Sequence, residues 1–245
     1  MYLHIDMMTT KCEVIMKDDL IKSIIKKLEY FKYGKGAIEV YRDCIEHMAL
    51  NLAISTDTEL DNSLRERYEE IFKNYSNEDK QKAKEICVDI TYLLAEFENN
   101  YCDYLGELYM RVISEYGKPR LNQYFTPYHV SHLMAEMTLD MGNNNSKKPI
   151  TINEPCCGSG GMCVACLDVL NNKNINYLTD ALIIANDIDE TCVYMTYLQL
   201  SFCGAAAIIE QKDTLTQKKF KELKTLGYYL QKEYYITHQN NTTME

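Results

Sequence analysis

The chain has 245 residues, 46% of them hydrophobic, which suits one large domain or a modest domain with a helical appendage. Its formal charge is −10, with 15 Lys and Arg against 23 Asp and Glu in residues 1–116 and 11 against 13 in 117–245. Neither half therefore reads as an autonomous duplex-DNA clamp, which draws its affinity from cations neutralising phosphates. The opening MYLHIDMMTTKCEVI has no basic stretch ahead of a long apolar run, and no segment approaches the roughly 18 uncharged apolar residues of a membrane span. The ten cysteines lie in a large chain without an export signal, so reduced thiols in a soluble, untargeted, cytoplasmic protein are expected.

The first half reads as helices. Segments 18–33 and 37–54 are separated by the Gly34-Lys35-Gly36 break. Ala83, Ile86, Ile90, Leu93, Leu94 and Phe97 recur at three- and four-residue steps as one buried stripe, and Leu105, Leu108, Val112 and Ile113 repeat it after a break at Asn99-Asn100. Residues 1–116 are thus expected to form a helical bundle with a scaffolding or interaction role, since no chemistry clusters there.

After Gly117 the pattern changes. Thr126-Pro127 predicts a helix start, with Thr126 as cap and Pro127 in the first helical position, and Val130, Leu133, Met134 and Met137 along one face of about 13 residues. GNNNSKK, 142–148, is a surface loop, and Pro149 precedes a strand at Ile150-Thr151-Ile152. A glycine-rich turn at 158–161 leads into a helix to about Leu170. ALIIA, 181–185, suits a central parallel strand, a helix begins at Asp189 and stops before Gly204, and Ala206 to Ile209 is a third strand. This alternation predicts a doubly wound α/β sheet. Beyond Thr216 the residues allow a helix through Phe220, Leu223 and Leu230 or a strand in GYYLQKEYYI, followed by a frayed polar tail.

The central clue is Asn153-Glu154-Pro155-Cys156-Cys157-Gly158-Ser159-Gly160-Gly161, between a strand and a helix. Glycines there let backbone approach a ligand, and the helix N-terminus behind them offers unbonded amides. Such a turn also arises from tight packing alone. Asp187 at the end of the next strand could accept ribose hydroxyls, and Asp213 after the third could accept from an adenine amine, although each acid alone more often caps a helix or solvates a loop.

Together these segments resemble the adenine-N6 DNA methylases related to type I modification subunits. Gln123-Tyr124-Phe125-Thr126-Pro127 looks like the family's Q-[FY]-[FY]-T-P segment, and Glu154 to Gly161 is similar to its D-P-x-C-G-S-G-G turn. Asn186-Asp187-Ile188-Asp189 resembles its acidic segment, Lys212-Asp213-Thr214-Leu215 its G-D-T-L segment, and Tyr104 to Tyr109 its L-G-x-x-Y helix. The resemblance covers residues 100 to 215. It implies a Rossmann-like class I methyltransferase sheet, partial and preceded by the helical region, with S-adenosylmethionine as cofactor. Phe125, Thr126 and Pro127 would wall the pocket, Glu154 would hold the methionine ammonium, and Gly158, Ser159 and Gly160 would pass under the cofactor. Asp187 would bind ribose and Asp213 the adenine amine. It further implies a DNA substrate reached through a specificity or partner subunit in a heteromeric modification complex. The corresponding division is 1–116 helical, 117–215 methyltransferase and 216–245 a divergent tail.

The sequence departs from the family downstream. The N-P-P-[FY] loop that orients a flipped adenine is missing, since all four prolines, at 119, 127, 149 and 155, precede Asp213. A truncated or degenerate member is expected, inactive alone and without catalytic residues of its own; the alternative is a non-catalytic interaction module or decoy. A nicotinamide dehydrogenase is disfavoured because G-x-G-x-x-G spacing fails after Gly158, Gly160 and Gly161. Cys163 and Cys166 fall on an apolar helical face and read as core rather than metal ligands, and His129 and His132 show no partner cluster. The acidic balance predicts that the isolated chain binds duplex DNA no more tightly than roughly 10⁻⁴–10⁻⁶ M at physiological salt. Tight, sequence-selective gel shifts by the purified chain would contradict this.

Overall fold

The computed structural model describes residues 17–57, 61–98, 100–117, 124–139 and 149–242. The first of these segments opens with helix α1, 17–29, which ends ahead of Gly34 and Gly36. Gly36, at φ 94°, precedes α2 (Ala37–Thr56). Next come α3 (Asn62–Ile71), capped by the Asp61 side chain, and α4 (Asn77–Ala95), where Ser76 and Asp79 form a reciprocal capping box. A short 3₁₀ turn, Glu96–Glu98, follows, and α5 (Tyr104–Tyr116) starts at Asp103, whose carboxylate accepts from the Gly106 amide. The stripe predicted for α4 is buried at Ala83, Ile86, Ile90, Leu93 and Leu94, and that of α5 at Leu105, Leu108 and Val112.

The second half is an α/β sheet. Strand β1 (Ile150–Glu154) leads to α7 (Gly161–Asn172), a one-turn α8 (Tyr177–Asp180), β2 (Ala181–Asp187), α9 (Glu190–Phe202) and β3 (Ala207–Lys212). These strands are parallel, with Ile152 opposite Ile183 and Asn186 opposite Glu210. Helix crossovers connect them because a parallel neighbour cannot be reached by a tight turn. Their C-terminal ends, where Glu154 and Asp187 stand, therefore share one edge of the sheet. An α/β fold with a helical N-terminal region is what the motif order implied. Ile183, Ala185, Ala207 and Ile209 are buried under α9, which is itself buried nearly all round from Cys192 to Leu200.

The helical half is not appended to this sheet by a single link. One cluster of buried side chains runs from Ile21 and Tyr41 through Leu105 to Met195 and Leu223. At its centre α2 lies on α9, and the buried Tyr41 hydroxyl donates to Met195 Sδ at 3.4 Å. Arg67 of α3 forks onto Glu46 of α2 at 2.8 and 2.6 Å, which satisfies a carboxylate that is largely buried.

Three expectations change. Ahead of α6 (Tyr128–Thr138), Pro127 occupies the cap position rather than the first turn, and no side chain caps the helix. The Pro127 carbonyl accepts from Val130 and Ser131 instead. The predicted face of Val130, Leu133, Met134 and Met137 exists, but it points outward, with Met137 75% and Leu133 59% exposed. The buried side is Ser131 and Ala135, because α6 rests on α7 through small residues, Ala135 against Ala165, Cys166 and Val169. The region after Thr216 inverts the two alternatives: Phe220 and Leu223, read as helical, lie in a strand, and GYYLQKEYYI, read as a possible strand, is helical. Lys219–Lys224 is β4, antiparallel to β3, which draws β3 out to Lys212, and Leu226–Thr242 is helix α10, which runs into the stretch read as a frayed tail as far as Thr242. Gln231 anchors α10 by donating to the Ala181 carbonyl at 2.7 Å.

The shared core predicts cooperative unfolding. Tyr41→Ala should cost about 3–5 kcal/mol, as large-to-small changes at buried aromatics do. Urea unfolding followed by far-UV circular dichroism and by tyrosine fluorescence should give coincident transitions for wild type and variant; two separated transitions would contradict the single core.

Candidate cofactor site

The site is built where β1 ends. Glu154 closes the strand and its carboxylate accepts from the Cys156 amide at 3.2 Å. The chain then turns sharply: Cys157 donates to the Asn186 carbonyl at 2.9 Å and Gly160 to the Cys157 carbonyl at 2.8 Å. Gly158 and Gly160 have φ of +56° and +97°, a region that L side chains rarely adopt. Gly160 is also crowded by Thr196 of α9, which a Cβ would meet at 3.1 Å. No side chain caps α7, so its first-turn amides remain available to a ligand.

Strand β2 and helix α9 hold this turn in place. Asp187, at the end of β2, accepts the Gly158 amide at 2.9 Å and the Asp189 amide at 2.9 Å. Thr196 donates to the Gly158 carbonyl at 3.0 Å. Asn186 donates to the Pro155 carbonyl at 2.8 Å and to Thr214 at 2.7 Å, tying the loop after β1 to the loop after β3. From behind, Asp103 accepts three hydrogen bonds: Gly106 N at 2.9 Å, Ser159 Oγ at 2.6 Å and Gln199 Nε2 at 2.8 Å. Burial pushes the Asp103 carboxyl above its ordinary range, against the pull of the Ser159, Gln199 and Gly106 donors.

A cavity of about 490 Å³ opens over the turn. Glu154, Gly158, Ser159 and Asp187 line it together with Tyr124, Phe125 and Thr126, so the structure brings most of the residues singled out from sequence to one place. Phe125 packs over Gly158, whose Cβ would meet the ring at 3.0 Å, and lies 5.3 Å from the Tyr109 ring. Three are displaced. Pro127 is exposed at the start of α6 and Gly160 faces Thr196; neither lines the cavity. Asp213 also stands outside the lining; a side-chain hydrogen bond from Thr216, together with the Thr216 and Leu215 amides that donate to its Oδ1, holds its carboxyl below the usual range. Gln123 lies outside the described residues.

Sequence reasoning missed Asp103, Thr196 and Gln199. Asp103 immediately precedes the quoted Tyr104–Tyr109 segment, and the close pairing of Gly106 and Gly161 with its carboxylate leaves no pattern at fixed spacing. Cys163 and Cys166 are buried in α7, where burial raises both thiols, Cys166 to about 11. His132 does have a partner: its Nε2 lies 3.3 Å from Asp168, which also accepts from Tyr128. A larger cleft, about 890 Å³, lies between α2 and the start of α9, but of its lining residues Arg67 and Glu46 are already paired with each other and Glu190 is paired with Lys221.

A glycine turn after the first strand of a parallel sheet, with an acid ending the second, defines a nucleoside-cofactor site of an α/β protein. The family model for N-6 DNA methylases matches residues 100–244, more than half of the chain, and the chain belongs to that family. Its cofactor is S-adenosylmethionine. Over 227 residues the chain is 22% identical to the methylase subunit of the type I restriction enzyme MjaIX from Methanocaldococcus jannaschii, covering 86% of this chain and 39% of that protein. A crystal structure from Listeria monocytogenes described as a class I S-adenosylmethionine-dependent methyltransferase matches with a TM-score of 0.48 and 13% identity, over 82% of this chain and 54% of that one. The type I restriction-modification methyltransferase subunit of Streptococcus thermophilus matches with a TM-score of 0.41 and 15% identity, over 80% and 40%.

Asp187→Ala should weaken S-adenosylmethionine binding by about 1–3 kcal/mol, the cost of leaving polar partners unpaired. Isothermal titration of folded wild type and variant checks this. Equal affinities would remove Asp187 from the site.

Proposed function

We propose that the chain is the cofactor-binding part of a DNA adenine-N6 methylase of the type I modification kind, and that by itself it binds S-adenosylmethionine without transferring the methyl group. The observation that carries this reading is the charge of the cavity. Asp103, Glu154 and Asp187 contribute three carboxylates to its lining, and no Lys, Arg or His is among the described residues that line it. A dinucleotide or nucleoside triphosphate would bring phosphates into that field, and Coulomb repulsion in a partly dry site opposes them. S-Adenosylmethionine brings an ammonium and a sulfonium instead, which fit an acid-lined cavity.

In this reading Glu154 accepts from the ammonium and Asp187 from the ribose hydroxyls, while Gly158, Ser159 and Gly160 form the backbone floor and Phe125 and Thr126 one wall. Pro127 supports that wall from the start of α6. Asp213 accepts from the adenine amine. When bound, the cofactor supplies an electrophilic methyl group. The protein's task toward the acceptor is to hold the adenine N6 in line and offer acceptors to its hydrogens, a contribution made only near the transition state. The N-P-P-[FY] loop to which the family resemblance gives that task is absent from this sequence. Tyr234 and Tyr235 could stack on a base but cannot orient an amine.

One observation favours a role that depends on a partner. In the sheet order β1-β2-β3-β4, β1 is an edge strand, and the outward apolar face of α6 belongs to the helix layered on α7. An open strand edge and an exposed apolar helix face are surfaces on which another chain can dock, so this side of the fold suits an assembly with another subunit, through which DNA would be recognised. The non-catalytic alternative, an interaction module or decoy, would use the same side.

The test is transfer of a labelled methyl group to mixed-sequence DNA, with and without candidate partner subunits. No turnover by the chain alone is expected. Turnover by the chain alone would overturn the reading of inactivity; turnover only with a partner would support supply of the acceptor loop in trans and exclude the decoy.

A further inference from the structure

Asp103 has no partner that accounts for its charge. It is 6% exposed, and its three hydrogen-bond donors, an amide N–H from Gly106, a side-chain amide from Gln199 and the Ser159 hydroxyl, are all neutral. Among the described residues it forms no ion pair, and the neighbouring charge that acts on it is that of Glu107, also negative. Removing an uncompensated carboxylate from water is costly, and neutral donors offset only part of that cost. Yet the side chain does not sit in the middle of the core. It borders the cavity beside Ser159, Gly161 and Met162, and a Cβ on Gly161 would meet its Oδ2 at 2.6 Å.

We propose that Asp103 is a specificity-determining residue that reads the charge of the ligand, favouring the cationic methyl donor over its neutral thioether product. The proposal rests on the assignment of S-adenosylmethionine to this cavity. The donor carries an ammonium, a sulfonium and a carboxylate; loss of the methyl group converts the sulfonium to a thioether and removes one positive charge. Donor binding therefore compensates a buried negative charge that product binding leaves exposed to its full burial cost. Asp103 thus lowers product affinity relative to donor, which favours release after transfer. Glu154 remains occupied by the ammonium and Asp187 by the ribose that both ligands share, so the difference between them falls on Asp103.

Asp103→Asn separates charge from anchoring. Asn Oδ1 can still accept from Gly106 and Gln199, and the Ser159 hydroxyl can rotate to accept from the new Nδ2. Dissociation constants for S-adenosylmethionine and S-adenosylhomocysteine are measured by isothermal titration on the whole chain, wild type and variant, with thermal melting as a check of folding. The expected result is a fall of about tenfold or more in the donor-to-product affinity ratio of the variant, carried by the donor. Equal changes for both ligands, or none, would overturn the proposal and leave Asp103 as an anchor of the turn. Wild type that binds neither ligand would instead sink the cofactor assignment itself, and this inference with it. Should Asp103→Asn not fold, Ser159→Ala is the second variant. It withdraws a donor that neutralises Oδ2, so the ratio should move about threefold or more toward the donor, and an unchanged ratio would refute the charge-reading role.

Discussion

A backbone turn that must pass close under a ligand cannot be stiffened by its own side chains, and this constraint organises the rest of the molecule. Gly158 and Gly160 supply the conformations, but glycine is also the residue with most freedom to lose on folding. The stiffness is brought from outside, by Asp187 from β2, by Thr196 and Gln199 from α9, and by Asp103 from the start of α5. Gln199 does double service, donating both to Asp103 and to the Ser159 carbonyl at 2.6 Å. The helical half is thereby part of the candidate cofactor site. Its fifth helix begins with the carboxylate that buttresses the turn, and its second lies along α9, which supplies Thr196 and Gln199.

The same arrangement decides the electrostatics. Anchoring by acids rather than by cations leaves the cavity negative, which a phosphate-bearing ligand would find unfavourable and a sulfonium would not. Chain charge alone does not carry this information. A net of −10 spread over the surface is screened within about 10 Å at ordinary salt, whereas three carboxylates around one cavity act on a ligand inside it at distances shorter than that. The acidic composition read from sequence bears on DNA affinity, and the acidic cavity bears on ligand choice; these are separate physical effects with a common sign.

How much of this was legible in the sequence depended on whether the signal was local. The strand-turn-helix around Gly158, the strand end at Asp187 and the cap at Asp189 are set by residues adjacent in the chain, and pattern and composition located them. Helix α6 shows where locality fails. Two stripes at the same spacing run along it, one apolar through Val130, Leu133, Met134 and Met137 and one small through Ser131 and Ala135. Hydrophobicity selects the first, yet close approach to α7 selected the second, a tertiary choice that the sequence of α6 does not contain. Residues 219–224 alternate too weakly to announce a strand, with only Leu223 fully buried, and became one because β3 offered an edge. Asp103, Thr196 and Gln199 were invisible for a related reason. Each is an ordinary cap or helix residue until the fold brings positions 56 and 40 residues apart from Ser159 into contact with it.

The order of the strands also bears on where an acceptor would have to stand. On the proposed reading the cofactor lies across the C-terminal edge of the sheet with its ribose at β2 and its adenine toward β3, so its methionine end and the methyl group face β1. Beyond β1 the described residues place no further strand, and the flank there is the outward face of α6, with Met134 lining the cavity. A base presented to that methyl group must therefore come from the β1 side, past Met134, and whatever holds the base must be built against α6 and the free edge of β1. Leu133 and Met137 are exposed on the same flank. The open edge of β1 and the outward face of α6 are thus, on the proposed reading, on the side where the second substrate would have to be positioned, so one partner docked there would meet both the exposed apolar surface and the need for a group that holds the base.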